Sequence, residues 1–325
     1  LFQSGVILFV LAFNNIAVPA ILQVKVFPAQ FWVQFSSTYN FKMAWQYGWI
    51  LALIPILILL AFRGRVIAWP WESQGLGLNV FMKRLGCVIR YSSSVLFGAM
   101  IIVSLLLPLG HLLLNGQTWF VFLEAIQAGS RSIFNSFWFS FLTATFITIL
   151  GLLTSSLKGF RLTWLFLFLP GVLIGVIWIS IFNRPSLDWF YGSGCMVITA
   201  LGIRYFALGW EGMHGIKNSI DTDLLNATNL FGMPWWQRCR HLVLPQAGWA
   251  IAAVWYVIYL LCLWDTETIV MIVPPGGETL ALRVFNLLHY GHHGQVNALC
   301  LILLILALLP VILGYAVRLL IKKWA

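Results

Sequence analysis

Long apolar runs separated by short polar or turn-rich breaks dominate the chain. Uninterrupted stretches fall near residues 4–24, 43–62, 92–114, 134–157, 162–182, 191–209, 247–273 and 297–320. Each is close to the roughly 20 residues a helix needs to cross the hydrocarbon layer of a bilayer. The pattern therefore predicts an all-α, polytopic transmembrane helical bundle of about eight spans, since a helix satisfies every backbone polar group within its own segment. Short alternating segments of the kind a membrane barrel uses are missing from the pattern. Between the second and third runs, residues 63–91 are polar and turn-rich, with Arg63, Arg65, Pro70, Gly75, Gly77, Lys83 and Arg84, and read as a linker between two units.

Composition agrees with the pattern. Hydrophobic residues make up 61% of the 325 and charged residues 9%, against roughly a quarter charged in a soluble domain. The formal charge of +10 raises the question of nucleic acid, but the basic residues sit at the ends of apolar runs rather than along one polar stripe, so they read as topology signals and nucleic acid is set aside. With a cytoplasmic N-terminus, fourteen of the 19 Lys and Arg residues fall inside, Arg204 among them, and five outside. That bias places both termini in the cytoplasm. Trp45, Trp189, Tyr191, Trp210 and Trp324 lie near run ends, where interfacial belts form. The five cysteines show no CxxC spacing and suggest neither a disulfide framework nor a zinc site. The chain opens on Leu1 directly into an apolar run, as though entered within a longer protein.

Residues 8–62 and 259–313 share a layout at a constant offset: an apolar span, a polar cluster, a polar outer loop, a tyrosine and a final apolar span. Asn14 falls on Asp265, Val33 on Val284, Tyr39 on Tyr290, Leu53 on Leu304 and Ile54 on Ile305. The offset contains six of the expected spans, so the repeat is parallel rather than inverted. Residues 1–62 then read as the last two spans of a first unit, truncated, and 92–325 as a complete six-span unit.

The longest polar stretch of that second unit, 211–245, falls on the expected cytoplasmic side. Asp221, Thr222 and Asp223 offer a helix N-cap, and Leu224, Leu225, Ala227, Leu230 and Phe231 follow at helical spacing. Gly232 is placed to supply a left-handed turn, and Pro234 to open a second short helix from about Trp235 to Leu242 that ends near Pro245. Two short helices at a sharp turn predict a rigid knob.

The residues of this knob resemble a family, the permease subunits of binding-protein-dependent ABC importers of type I. That family's cytoplasmic loop runs Glu-Ala-Ala, three residues, Gly, nine residues, Ile, one residue, Leu-Pro. Here Asn226, Ala227 and Thr228 are followed at the same spacing by Gly232, Leu242, Leu244 and Pro245. Asn226 replaces the family's Glu and Thr228 its second Ala, which puts in doubt any salt bridge made by that Glu, although Asn still accepts hydrogen bonds. The stretch "PPGGETLALRVFN" is similar to the family's outer Gly-rich turn. The resemblance covers about residues 92–320 and, through the repeat, 1–62, in the fused layout of permeases for iron(III), thiamine or phosphonates. It implies a multi-pass chain of the bacterial inner membrane that forms the solute path and is not itself an enzyme. It also implies separate ABC ATPase subunits that bind ATP, a periplasmic or lipid-anchored solute-binding protein, surrounding lipid, and no cofactor held by the chain itself. In keeping with this, the chain has no GxxxxGK[ST] loop to cradle phosphates.

For the translocation pathway the candidates are Asp265, Thr266 and Glu267, which interrupt the seventh run, and Asn14 and Asn15 at the matching place in the first copy. Carboxylates inside a span are costly unless they face protein or water. They read either as pore-lining groups or as hydrated groups at the outer end of the span. An ion-coupled carrier using Asp265 and Glu267 is the alternative function. His289, His292 and His293 are close in sequence but lack a tight ligand spacing, so they read as a solvated outer loop rather than a metal site.

Overall fold

A computed structural model describes residues 5, 9, 12–61, 87–157, 163–220, 228 and 230–324. The expected linker 63–91 lies almost wholly outside the described residues, as do residues 4, 6–8, 10 and 11 of the run at 4–24. The elements that position the site are α1 (Ala17–Ile21), α2 (Phe27–Thr38), α3 (Phe41–Ala61), α4 (Cys87–Ile101), α5 (Leu107–Leu114), α6 (Phe122–Thr154) and α7 (Trp164–Phe168). They continue with α8 (Gly171–Phe182), α9 (Gly194–Ser219), α10 (Leu244–Trp264), α11 (Ile269–Ile272), α12 (Leu280–His289) and α13 (His293–Trp324). Among the described residues five helices are long and apolar enough to cross a membrane, or six when the bent pair Pro185–Tyr191 and Gly194–Ser219 counts as one span. The chain is thus an all-α, polytopic membrane bundle.

Among the described residues the expected runs at 162–182 and 247–273 are broken, as is the run at 4–24 after Asn14. The run at 162–182 divides at Leu169, whose backbone is extended (ψ 140°), before Pro170 and the 12-residue α8. A residue before proline is pushed out of the helical region, and proline has no N–H to continue the ladder. The run at 247–273 ends as a helix at Trp264, turns through Asp265 to Thr268, and resumes only as the four-residue α11. The α6 helix begins at Phe122, well before the expected 134. Polar Glu124, Gln127 and Arg131 occupy its exposed side in this first part, while Ala125, Gly129 and Ser132 are buried.

The centre of the bundle is α6 packed against α9 and α10. Ser132, Ser136, Ser140, Thr143, Ala144, Ile147 and Gly151 give α6 a buried, mostly small-residue stripe, which lets neighbouring backbones approach in lipid. At the α6–α9 crossing a Cβ on Gly151 would lie 2.9 Å from the carbonyl oxygen of Gly209. On the other side of α10, the hydroxyl of Tyr259 donates to the carbonyl of Leu306 at 2.9 Å and that of Tyr256 to Ala307 at 3.0 Å. Pro310 lies inside α13 and cannot donate to the carbonyl four residues back, so Tyr259 satisfies the acceptor that the proline leaves orphaned.

Two wide π turns, Ile102–Leu106 and Cys239–Val243, each stop two residues before a proline, Pro108 and Pro245. A π turn loosens the backbone ahead of the ring, where it would otherwise strike the preceding turn. Pro245 therefore does not end the second short helix as expected. Helix runs from Trp235 through the π turn into α10. At the other end of this segment α9 stays helical through Glu211 to Ser219, so the first residues of the polar stretch 211–245 belong to α9.

The element boundaries recur at the offset of the sequence repeat. With 251 added, the ends of α1 and α2 coincide with those of α11 and α12, and the starts of α1, α2 and α3 fall within two residues of those of α11, α12 and α13. Both copies break a helix at the polar cluster, after Asn14 in one and after Trp264 in the other.

Candidate functional site

The break between α10 and α11 is held by a charge from another helix. Arg204 sits ten residues into α9, about 15 Å along its axis from the end at Gly194. Its two terminal nitrogens reach the break: Nη1 donates to Asp265 Oδ2 at 2.8 Å and to Thr268 Oγ1 at 2.6 Å, and Nη2 donates to Glu267 Oε2 at 2.8 Å. Asp265 Oδ2 also accepts from the hydroxyls of Tyr205 (2.8 Å) and Thr268 (3.1 Å), while Oδ1 accepts the Thr268 N–H at 2.8 Å. That last bond closes an Asx turn that leads into α11. The side chains of Arg204 and Asp265 are 5% and 0% exposed and that of Glu267 13%, so the pairs lie within the protein rather than in water. Room for the guanidinium comes from Gly171, the first residue of α8, where any Cβ would collide with it.

Arg204 is thus not a span-end topology residue. Removing it from the sequence count leaves thirteen expected inside against five outside. Neither are Asp265 and Glu267 simply hydrated at an outer end, because both are ion-paired inside the bundle.

Of the sequence candidates, Thr266 and Glu267 line a narrow cleft with Ile16, Ala17, Trp32, Val270 and Phe285. Segments that align at offset 251 therefore face each other across it. The cleft holds about 10 Å³, room for one water and for no solute. Asn14 is buried beside this wall and donates from Nδ2 to the carbonyl of Phe168 at 3.0 Å, an acceptor left open where α7 stops short of Pro170. Asn15 accepts the Val18 N–H at 3.1 Å and so caps α1. Asp265 is turned inward, to Arg204, and is absent from the cleft lining.

The second candidate region is the knob. Gly232 has φ +62°, and the Met233 N–H bonds the Thr228 carbonyl at 3.1 Å, the closure of a Schellman turn. Arg238 Nε donates to the Met233 carbonyl at 2.8 Å, which ties the turn to the following helix. Leu230 and Phe231 are 88% and 83% exposed and Trp236 is exposed as well. Leu244 and Pro245 open α10. Asn226 and Ala227, and the side chain of Leu242, lie outside the described residues.

The Gly-rich stretch that follows α11 forms a turn. Pro274 to Gly277 form a type II turn with Pro275 second and Gly276 third at φ +72°, closed by the Gly277 N–H to Pro274 carbonyl bond at 2.8 Å. The turn is fastened to α6: Asn135 donates to the carbonyls of Gly276 and Glu278, Ser132 to Glu278 Oε2, and Ser136 accepts the Leu280 N–H at 2.6 Å. Arg283 pairs with Glu278 at 3.1 Å. His289 holds the Phe285 carbonyl through Nδ1, and among the described residues no three His, Cys, Asp or Glu side chains gather to hold a metal.

Sequence reasoning missed Arg204, Tyr205 and Thr268. The available signal was a single arginine inside the apolar run "GIRYFALGW", which needs an internal carboxylate, and a run with two carboxylates and no cation of its own.

No protein-family model matches the chain. Among curated proteins it is similar to one from Salmonella paratyphi A that bears the name "Putative 2-aminoethylphosphonate transport system permease protein PhnV", with 28% identity over 142 residues, 43% of this chain and 53% of that one. It is also similar to PotC of Escherichia coli K12, a spermidine/putrescine transport system permease protein, with 33% identity over 92 residues, 28% of this chain and 35% of that one. The matches span about half the length of PhnV and about a third of PotC. Both relatives are transport permeases and not enzymes by name.

Proposed function

We propose that the chain is a non-enzymatic permease subunit of an ABC importer in a bacterial inner membrane. It forms a solute path at the cleft between the repeated segments and couples to separate ATPase subunits through the knob at 221–245. The observation that carries this reading is the turn at Gly232, a left-handed glycine presenting the exposed apolar side chains of Leu230, Phe231 and Trp236 beside a basic helix. Exposed apolar groups on a rigid turn suit a protein partner. The spacing of Gly232 to Leu244 and Pro245, and the permease relatives, point the same way.

The recurrence of element boundaries at offset 251 supports a duplicated architecture, in which residues 1–62 are the end of a first unit and 92–325 a second, with both termini cytoplasmic. A solute-binding protein would meet the opposite face, where the Pro274–Gly277 turn is fastened to α6. For the solute, the fused layout favours iron(III), thiamine or a phosphonate. An ion-coupled carrier using Asp265 and Glu267 is less well supported, because Arg204 already engages both carboxylates.

The test is affinity purification of the tagged full-length chain from its native membrane. An ATPase subunit should co-purify, and Gly232→Arg, which strains the turn and places a charge at its tip, should abolish it. Absence of any ATPase under gentle solubilisation refutes the reading.

A further inference from the structure

The ion cluster does not balance. Arg204 carries one positive charge, and Asp265 and Glu267 carry two negative charges between them when ionised. Asp265 is saturated by Arg204, Tyr205 and Thr268. The surplus therefore falls on Glu267, which meets Arg204 through Oε2 and is the charged member that lines the cleft. Around it, Thr266 apart, the walls are apolar and aromatic: Trp32 and Phe285 meet edge to face at 6.4 Å, one from each of the segments that face each other. A surplus negative charge in low dielectric strongly favours an incoming cation. Aromatic faces accept a cation's positive field, while Thr266 and Glu267 alone supply too few oxygens for the roughly six to eight ligands of a hard metal ion, so the wall suits an ammonium.

We infer that the cleft is a cation-selecting contact, in which Glu267 meets the positively charged nitrogen of a solute bearing an amine or quaternary ammonium group, flanked by Trp32 and Phe285. In this structure the same carboxylate is held by Arg204, so an arriving cation exchanges one partner for another rather than meeting a bare charge. The inference rests on the cleft being part of the solute path.

The experiment needs no knowledge of the solute. Val270→Cys places a thiol on the cleft wall outside the ion cluster, in a chain whose exposed Cys195 is replaced by Ser. The full chain, with its partner subunits, is treated in membrane vesicles with trimethylammonium-ethyl methanethiosulfonate or with sulfonato-ethyl methanethiosulfonate. Modification of residue 270 is followed by mass spectrometry, each rate being divided by that reagent's rate with a free thiol. The cationic reagent should react faster by about tenfold or more, and Glu267→Gln should bring the ratio toward unity. Ile16→Cys, on the facing wall, should give the same bias and serves if Val270→Cys fails to fold. A ratio near one, a ratio unchanged by Glu267→Gln, or no modification by either reagent at both positions overturns the proposal. Co-purification of the ATPase from the same membranes separates the two readings: ATPase without charge bias sinks the cation contact alone, and charge bias without ATPase sinks the importer reading alone.

Discussion

Replacing Arg204 by Met should destabilise the chain more than any other single change in the cluster. Methionine keeps the length and fills the space beside Gly171, but it leaves Asp265 and Glu267 as two buried carboxylates with no cation. Breaking a buried pair by removing one partner costs about 3–5 kcal/mol, because the remaining charge is stranded. At about 2 °C per kcal/mol for a chain of this size, the melting temperature in lipid nanodiscs should fall by about 6–10 °C. The sign of the companion variants makes the argument specific. Glu267→Gln leaves Arg204 and Asp265 balanced, and should shift the melting temperature by less than half as much. The triple variant Arg204→Met, Asp265→Asn, Glu267→Gln carries no formal charge, and should recover more than half of the loss. Melting is read by size-exclusion chromatography with fluorescence detection after heating. A melting temperature for Arg204→Met within about 2 °C of the wild type, or a triple variant no better than the single one, refutes the account.

Tyr259→Phe should cost about 1 kcal/mol by stranding the Leu306 carbonyl, and Pro310→Ala in that background should restore the loss by returning an N–H to the carbonyl; both are read from melting in nanodiscs. Gly209→Val should part α6 from α9, because Ile147 occupies the space its side chain needs, and cysteine pairs placed across that crossing should lose their crosslink. Gly276→Ala should cost about 1–2 kcal/mol, since its φ is positive and Arg131 fills the site of the new methyl group; faster proteolysis of the outer turn in right-side-out vesicles would report the loss.

The apolar runs made the helical membrane class legible, and the paired boundaries at offset 251 follow a repeat visible in Asn14, Tyr39 and their counterparts. The breaks were harder to read. Hydropathy adds apolar residues across Leu169–Pro170 and across Asp265–Thr268 as if nothing intervened, although the proline and the polar cluster were both visible. Arg204 was misassigned because a topology count uses only distance from an expected span end, and that end was misplaced by α9 continuing to Ser219. Ser132, Asn135 and Ser136 carry no motif. In an apolar helix they read as small or polar filler, and only the turn lying against them gives them a role. The glycine of the knob was legible because φ > 0 is a demand that few other residues meet.

The wide turn at Cys239–Val243 acts as a rotational phase setter. Each residue of an α-helix advances the direction of its side chain by about 100°, and a π turn inserts one extra residue into that count. The buried face of α10, with Val254, Ile258, Tyr259 and Cys262, is therefore aimed by where the extra residue sits, not by Pro245 alone. Deleting a single residue from this turn would swing that face away from α6 and α13 while leaving the helix, its length and its hydropathy intact. Between the knob and the bundle core, then, the chain is constrained in number of residues more tightly than in their identity.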